Sequence, residues 1–386
     1  MTSRLAQDIK PFLVMDVLAK ARAMEAHGVD VIHMEIGEPD FPTPQPIIQA
    51  GIEALKQGFT HYTPALGLPE LRTALSRYYS RYFGVSVTEE RIAITPGSSG
   101  ALQLALAATI NPGDEVLLAD PGYPCNQQFV RLVGGIVKAV AVDESSGYQL
   151  TSSLIKKYWG EKTQAVLLAS PSNPTGTCCS REELKKIINF VEARQGILIV
   201  DEIYQSLVYE LEPQTVLSIT DRVIVINSFS KYFGMTGWRV GWMVMPSSLS
   251  PAVDKLAQNY FLATNTPAQY AALASFNDEI MTELERRRVE FQQRRDFLLS
   301  ALKELHFDIP IQPQGAFYLY ARSTYWHSNS RELVSELLQE AAVAITPGYD
   351  FGDHCADDYV RFAYTTDQAK LTLGIDRLRN YLQSNR

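Results

Sequence analysis

Six short apolar runs punctuate the middle of the chain: RIAIT (91–95), EVLLA (115–119), GIVKAVAV (135–142), AVLLAS (165–170), GILIV (196–200) and RVIVIN (222–227). Several are apolar at consecutive rather than alternate positions, which suits strands covered on both faces. Helix-length segments fall at 99–109, 124–134, 180–194 and 250–262. This alternation predicts an open, mostly parallel α/β sheet. From about 284 the rhythm changes to a long charged helical segment, short strands around AFYLYA and DYVRFAY, and a final helix from about 367. That part reads as a smaller α+β unit, against which the amphipathic stretch 10–30 is expected to pack. The division expected is a large domain over 45–283 and a small one made of 1–44 and 284–386.

Composition narrows the class. With 386 residues the chain suits one large and one small domain, and 46% hydrophobic with 20% charged residues is globular composition. The balance of 35 basic against 43 acidic residues, net -8, disfavours a nucleic-acid partner. No apolar run approaches the roughly 18 residues that span a bilayer, and MTSRLAQDIKPF lacks an apolar signal core. Four cysteines, two of them the adjacent Cys178 and Cys179, offer neither a disulfide framework nor a metal spacing. A cytoplasmic protein without membrane, nucleic-acid or metal partner is expected.

Open α/β sheets bind ligands outside the carboxyl ends of their strands, so the residues after each run carry the candidate chemistry. PGSSGALQ follows 91–95 and opens a helix whose free N–H groups and dipole suit an anion. It is not a P-loop, since GxxxxGK followed by Ser or Thr is absent. DPGYPC places Tyr123 where a ring could cover a flat ligand, and PSNPTG holds Asn173 in a proline-dense turn. DEIYQ sets Asp201 at a strand tip, where a buried carboxylate needs a cationic or N–H partner, with Tyr204 three residues on. SFSK supplies Ser228, Ser230 and Lys231, and Arg239 follows eight residues later. Each feature alone has a plainer reading as a cap, a turn or a solvated lysine. Converging on one edge, they supply what pyridoxal phosphate chemistry needs: an amine for its aldehyde, a carboxylate for its ring nitrogen, donors for its ring oxygen and a cradle for its phosphate.

The chain resembles the class I pyridoxal-phosphate aminotransferases of fold type I, in their compact bacterial aspartate-aminotransferase-like subgroup. The resemblance rests on GEPDFPTP (37–44), HYTPALGLPELR (61–72), TPGSSGALQLAL (95–106), DPGYP (120–124), SNPTG (172–176), DEIY (201–204), SFSKYFGMTGWRVGW (228–242), QGAFYLY (314–320), TPGYDFG (346–352) and VRFAY (360–364), which run through nearly the whole length. It implies a seven-stranded, mostly parallel sheet in the large domain and pyridoxal 5'-phosphate as cofactor. It further implies that Lys231 is the cofactor-bound lysine and proton shuttle, and that Asp201 is the partner of the pyridine nitrogen. Asn173 and Tyr204 would bond the cofactor's ring oxygen, and Tyr123 would stack on its ring. Ser98, Ser99, Ser228, Ser230 and Arg239 would hold the phosphate, with backbone N–H groups near Gly100. Tyr62 would reach the neighbouring subunit's site, which implies a homodimer. Arg361 would grip the substrate's α-carboxylate, with Gly37 letting the main chain approach it and Asn173 beside it.

The activity so implied moves an amino group from an L-amino acid to a 2-oxo acid in two half-reactions, with ping-pong kinetics. Members specific for dicarboxylates usually place a cation at the distal carboxylate. Here GSSG carries no lysine and QNYFLATNTPAQ (258–269) carries neither Arg nor Lys. The lean is therefore to neutral donors such as alanine, branched or aromatic amino acids. Aspartate and glutamate stay open, since Lys10 in IKPF could supply a cation. Phe12, where many relatives have a small hydroxyl residue, marks either a more apolar pocket mouth or a core position. A pyridoxal-phosphate lyase of the same fold is the main alternative. A non-catalytic cofactor sensor is disfavoured by the acidic balance, and a hydrolase on Ser228 or Cys125 by the absence of GxSxG and of a nearby histidine.

Overall fold

The computed structural model describes residues 2–384. Twelve strands occur among them: β1 (Ile32–His33), β2 (Ile92–Thr95), β3 (Glu115–Asp120), β4 (Ile136–Ala141), β5 (Thr163–Ala169), β6 (Ile197–Asp201), β7 (Ile224–Ser228), β8 (Gly241–Val244), β9 (Tyr318–Arg322), β10 (Val343–Ala344), β11 (Thr346–Pro347) and β12 (Tyr359–Ala363). Seven of them form one sheet in the order β2-β8-β7-β6-β5-β3-β4. All its pairings are parallel except those of β8, which runs antiparallel to both β2 and β7.

The doubly covered pattern of the apolar runs is realised by two cores on opposite faces of this sheet. Along β7, Val225 joins one core while Ile224 and Ile226 join the other, and along β3 Leu117 opposes Val116 and Leu118 in the same way. Two of the helices begin with side-chain caps: Ser180 accepts from the N–H of Glu183 at 3.2 Å before Arg181–Ala193, and Asn265 accepts from the N–H of Ala268 at 2.9 Å before Thr266–Leu273.

Two sequence expectations change. The run at 135–142 forms β4 at the sheet edge, and most of its residues are exposed or half-buried rather than covered on both sides. The charged helix expected from about 284 starts earlier, as Asp278–Glu304, because Asn277 caps it by accepting the N–H of Glu279 at 2.8 Å. The position 283/284 therefore lies inside a continuous helix.

The C-terminal part builds a second, antiparallel sheet in the order β11-β12-β9, and β1 pairs in parallel with β10. Helix Leu13–Ala26 packs against β10 and β11, as the amphipathic stretch 10–30 requires. The connecting segment around Asp40 is clamped to the long helix. Arg294, 2% exposed, pairs with Asp40 at 2.8 Å and Glu290 at 2.6 Å, and Arg287 Nη1 donates to the Pro42 carbonyl at 2.7 Å. This clamp fixes the approach of the chain to Gly37.

Candidate active site

The carboxyl ends of β2, β3, β5, β6 and β7 face a cleft of about 330 Å³, which the second sheet closes from the other side. Gly37, Ser98, Ser99, Tyr123, Asn173, Asp201, Tyr204, Ser230, Lys231, Arg239 and Arg361 all line it. The expected residues thus come from positions up to 324 apart in sequence and meet in one place.

Lys231 follows β7. Its Nζ donates to the carbonyl of Gly37 at 2.7 Å. Burial lowers its pKa to about 8, with Arg239 and Arg361 acting the same way and Glu38 and Asp201 opposing. Asp201 ends β6, and one of its oxygens accepts the N–H of Ile203 at 3.0 Å. Burial raises this carboxyl to about 6, against the lowering effects of that N–H and of Lys231. A carboxylate raised by burial at the floor of a cleft favours a cationic ligand group opposite it.

The helix Gly97–Thr109 opens behind β2 with Pro96 as its first flanking residue, and no side chain caps it. Ser98 and Ser99 occupy its first turn, where the N–H groups have no intrahelical acceptors. Gly97 holds φ +68°, and a Cβ there would lie 2.5 Å from Arg239 Nη2, so glycine keeps room for the guanidinium beside the helix start. Arg239 Nη1 reaches Ser230 Oγ at 3.4 Å and the Thr236 carbonyl at 3.1 Å. Uncapped N–H groups, hydroxyls and a guanidinium fit a phosphate, while Lys231, Asp201 and the Tyr123 ring fit the aldehyde, ring nitrogen and face of pyridoxal phosphate.

Arg361, on β12, is 3% exposed. Its Nη1 donates to Asn173 Oδ1 at 2.9 Å, and its Nη2 donates to the Glu35 carbonyl and to Thr346 Oγ1, the latter at 3.2 Å. Its Nε is buried without a hydrogen-bond partner. The ring of Tyr318 lies under the guanidinium, 4.3 Å from its centroid. A planar donor group at the cleft wall, with its Nε left unpaired, suits a carboxylate ligand.

Three expected residues stand apart from the cleft wall. Ser228 is buried behind Ser230: its Oγ lies 2.9 Å from Ser230 Oγ and accepts the Ser230 N–H at 3.0 Å, so it braces the cradle from the rear. Gly100 lies buried one residue beyond Ser99 in the helix, with its would-be Cβ 2.8 Å from Pro96. Tyr62 is 81% exposed and away from this chain's own cleft. Sequence reasoning passed over Tyr318, Glu38 and Thr236. The Tyr318 hydroxyl meets that of Tyr204 at 2.8 Å, and Thr236 donates to Glu38 at 2.5 Å. A hydroxyl at an otherwise apolar strand position in AFYLYA was the available signal for Tyr318. Phe12 lines the cleft edge-on to Tyr123, with ring centroids 6.3 Å apart, which decides its two readings in favour of the pocket mouth. Lys10 does not enter the cleft: it is exposed and pairs with Asp353 at 3.4 Å.

Comparison with known proteins agrees with this geometry. Residues 29–378 match the family described as aminotransferase class I and II. The chain is 37% identical over 385 residues to a (5-formylfuran-3-yl)methyl phosphate transaminase of Methanocaldococcus jannaschii, covering 99% of this chain and 100% of that one. It is 36% identical over 389 residues to a valine–pyruvate aminotransferase of Mycobacterium tuberculosis, covering 100% of both. The crystal structure of an aminotransferase from Mycobacterium tuberculosis superposes with a TM-score of 0.96 at 34% identity, covering 100% of this chain and 99% of that one. The chain therefore belongs to the class I and II aminotransferases and is an enzyme of fold type I that depends on pyridoxal 5'-phosphate.

Proposed function

We propose that this aminotransferase takes neutral L-amino acids as donors, and that the residues gathered at the cleft hold cofactor and substrate in the following roles. Pyridoxal phosphate supplies an aldehyde for attachment and a protonated ring that withdraws electrons. Lys231 provides the attaching amine and, once freed, takes the α-proton of the donor on Nζ. That task needs a neutral amine, and a pKa of about 8 leaves roughly one molecule in ten neutral at pH 7, against about one in 3,000 for an unperturbed lysine. Asp201 holds the proton on the ring nitrogen. Ser98, Ser99, Ser230 and Arg239 carry the phosphate, with Ser228 and Gly100 behind them. Tyr204 and Asn173 bond the ring oxygen, Tyr123 covers the ring, and Arg361 takes the donor's carboxylate with Gly37 adjacent.

The observation that carries the donor preference is the cation inventory of the cleft. Among the described residues its lining cations are Lys231, Arg239 and Arg361, and each already has a partner in this scheme. None is left for a distal carboxylate, while Phe12, Val14 and Ile36 offer apolar surface at the mouth. The similarity to a valine–pyruvate aminotransferase points the same way. We also place the working enzyme as a homodimer in the cytoplasm, with Tyr62 completing the partner's site, and divide it into 45–283 and 1–44 with 284–386. Exposed Ile52, Leu55, Phe59 and Tyr62, together with exposed Tyr260 and Leu262, support the dimer. Four free cysteines support the reducing compartment.

A donor panel of alanine, valine, phenylalanine and aspartate, read by cofactor absorbance and stoichiometric oxo acid in single half-reactions, tests the reading. Neutral donors should exceed aspartate in kcat/KM by roughly tenfold or more. Aspartate equal to or better than all three would overturn the donor preference. In the same assay Lys231→Ala should lose covalent attachment and several orders of magnitude in turnover, and near-wild-type turnover would remove Lys231 from its role.

A further inference from the structure

Glu35 is fully buried, and the roles above leave its side chain unused. Its Oε1 meets His33 Nδ1 at 2.7 Å, whereas Oε2 is buried without a hydrogen-bond partner. On the other side of the imidazole, Nε2 lies 3.2 Å from Glu25 Oε1 on helix Leu13–Ala26. The hydrogen bond to Glu35, with help from Glu25 and against burial, raises the His33 pKa. A half-satisfied carboxylate in the interior is costly, and an apolar side chain of similar volume would often be at least as stable. Stability alone therefore gives a poor reason for Glu35.

The main chain of the same residue gives a better one. The Glu35 carbonyl accepts from Arg361 Nη2 and from Thr346 Oγ1, the latter at 3.0 Å. The next two carbonyls are also engaged at the site: Ile36 accepts from Thr365 Oγ1 at 2.9 Å and Gly37 from Lys231 Nζ at 2.7 Å. Up to Met34 the chain is held by sheet bonds, with the Met34 N–H on Ala344 at 2.9 Å and the Met34 carbonyl taking the Ala363 N–H at 2.7 Å. Beyond Met34 that ladder ends. The His33–Glu35 side-chain clamp then sets where the Glu35 carbonyl points, and this carbonyl aims one arm of the guanidinium.

We propose that Glu35, clamped by His33, is a positioning residue that orients Arg361 for the substrate carboxylate. The inference rests on the assignment of Arg361 as the carboxylate site. His33, whose side chain is 27% exposed, can be changed with little disturbance of the core, and Glu35→Gln keeps the buried volume.

The test measures how cofactor-loaded protein binds 4-methylpentanoate, an unreactive monocarboxylate, through the shift in cofactor absorbance, alongside steady-state kinetics with a neutral donor. Glu35→Gln and His33→Ala should weaken the monocarboxylate and raise KM by roughly tenfold each, with kcat changed less than about twofold and cofactor affinity unchanged. His33→Gln, which keeps one donor for Glu35, should recover part of the loss. If these variants only lower the melting temperature while carboxylate affinity stays within about twofold, Glu35 is a core residue and the inference is wrong. Parallel loss of cofactor affinity would likewise overturn it, because the effect would then be general loosening. Should Glu35→Gln not fold, the two His33 variants decide the matter. Arg361→Gln separates the two claims: if it too leaves the monocarboxylate bound, the assignment of Arg361 is what fails.

Discussion

Lys231 illustrates how far single residues were legible. Its type and its position after a strand marked it as a candidate amine, but its ionisation depends on groups that no local pattern brings together. Burial and Arg361, 130 residues away in sequence, both lower it, while Glu38, unremarked in the sequence, opposes them. The sign of the resulting pH dependence follows directly. The neutral amine is the attacking form, so its fraction rises with pH and levels off above the folded pKa of about 8 instead of near 10.5. Mixing cofactor-free protein with pyridoxal phosphate from pH 6 to 10 should give an attachment rate half-maximal near pH 8. A half-maximum near 10.5 would mean that the cleft does not desolvate Lys231. Asn173 shows the opposite limit. Its rigid turn could be read from PSNPTG, yet its bond to Arg361 at 2.9 Å joins the turn after β5 to β12 of the second sheet and leaves no mark in either segment.

At the scale of elements, six of the seven strands of the large sheet were visible as apolar runs, and β8 was not. Its first two residues, Gly241 and Trp242, end the stretch 228–242 that also carries Lys231 and Arg239, so their apolar character merged with that of the site. The twelve residues between Ser228 and Gly241 leave little room for a crossover helix, and an antiparallel return is the natural solution. This strand passes hard against the start of the cradle helix. A Cβ on Gly241 would lie 2.6 Å from Gly97 C, 2.8 Å from Ser98 N and 2.9 Å from the Asn227 carbonyl oxygen, all main-chain atoms that cannot rotate away. Gly241→Ala should therefore cost about 1–3 kcal/mol of stability and loosen cofactor binding by displacing the helix start. Equilibrium titration with pyridoxal phosphate and thermal melting read both effects, and an unchanged cofactor affinity would show that β8 does not set the cradle. β4 erred in the other direction: its run is apolar enough for a central strand, but strand order, which the pattern does not encode, puts it at the edge.

For the whole molecule, the overall α/β architecture was legible because alternating strand and helix signals persist from 91 to 262, whereas the second sheet was visible only as short strands of unknown pairing. Tyr62 offers a test at this scale. If it serves the partner's cleft, two inactive variants should complement each other. Mixed dimers of Tyr62→Ala and Lys231→Ala chains contain one site with both residues intact, so unfolding and refolding an equal mixture should restore up to about a quarter of wild-type activity by random pairing. No recovery above the Tyr62→Ala homodimer would place Tyr62 in its own chain's chemistry or outside it. The run Glu35–Gly37 has its own consequence for such experiments. Its three successive acceptors for Arg361, Thr365 and Lys231 are peptide oxygens, which every substitution retains. A replacement scan across these positions leaves all three acceptors present and senses them only when it bends the chain. Ile36 would then score as tolerant although its peptide sits between the two cationic side chains on which the chemistry depends, and replacing an amide by an ester there would reveal what side-chain exchange cannot.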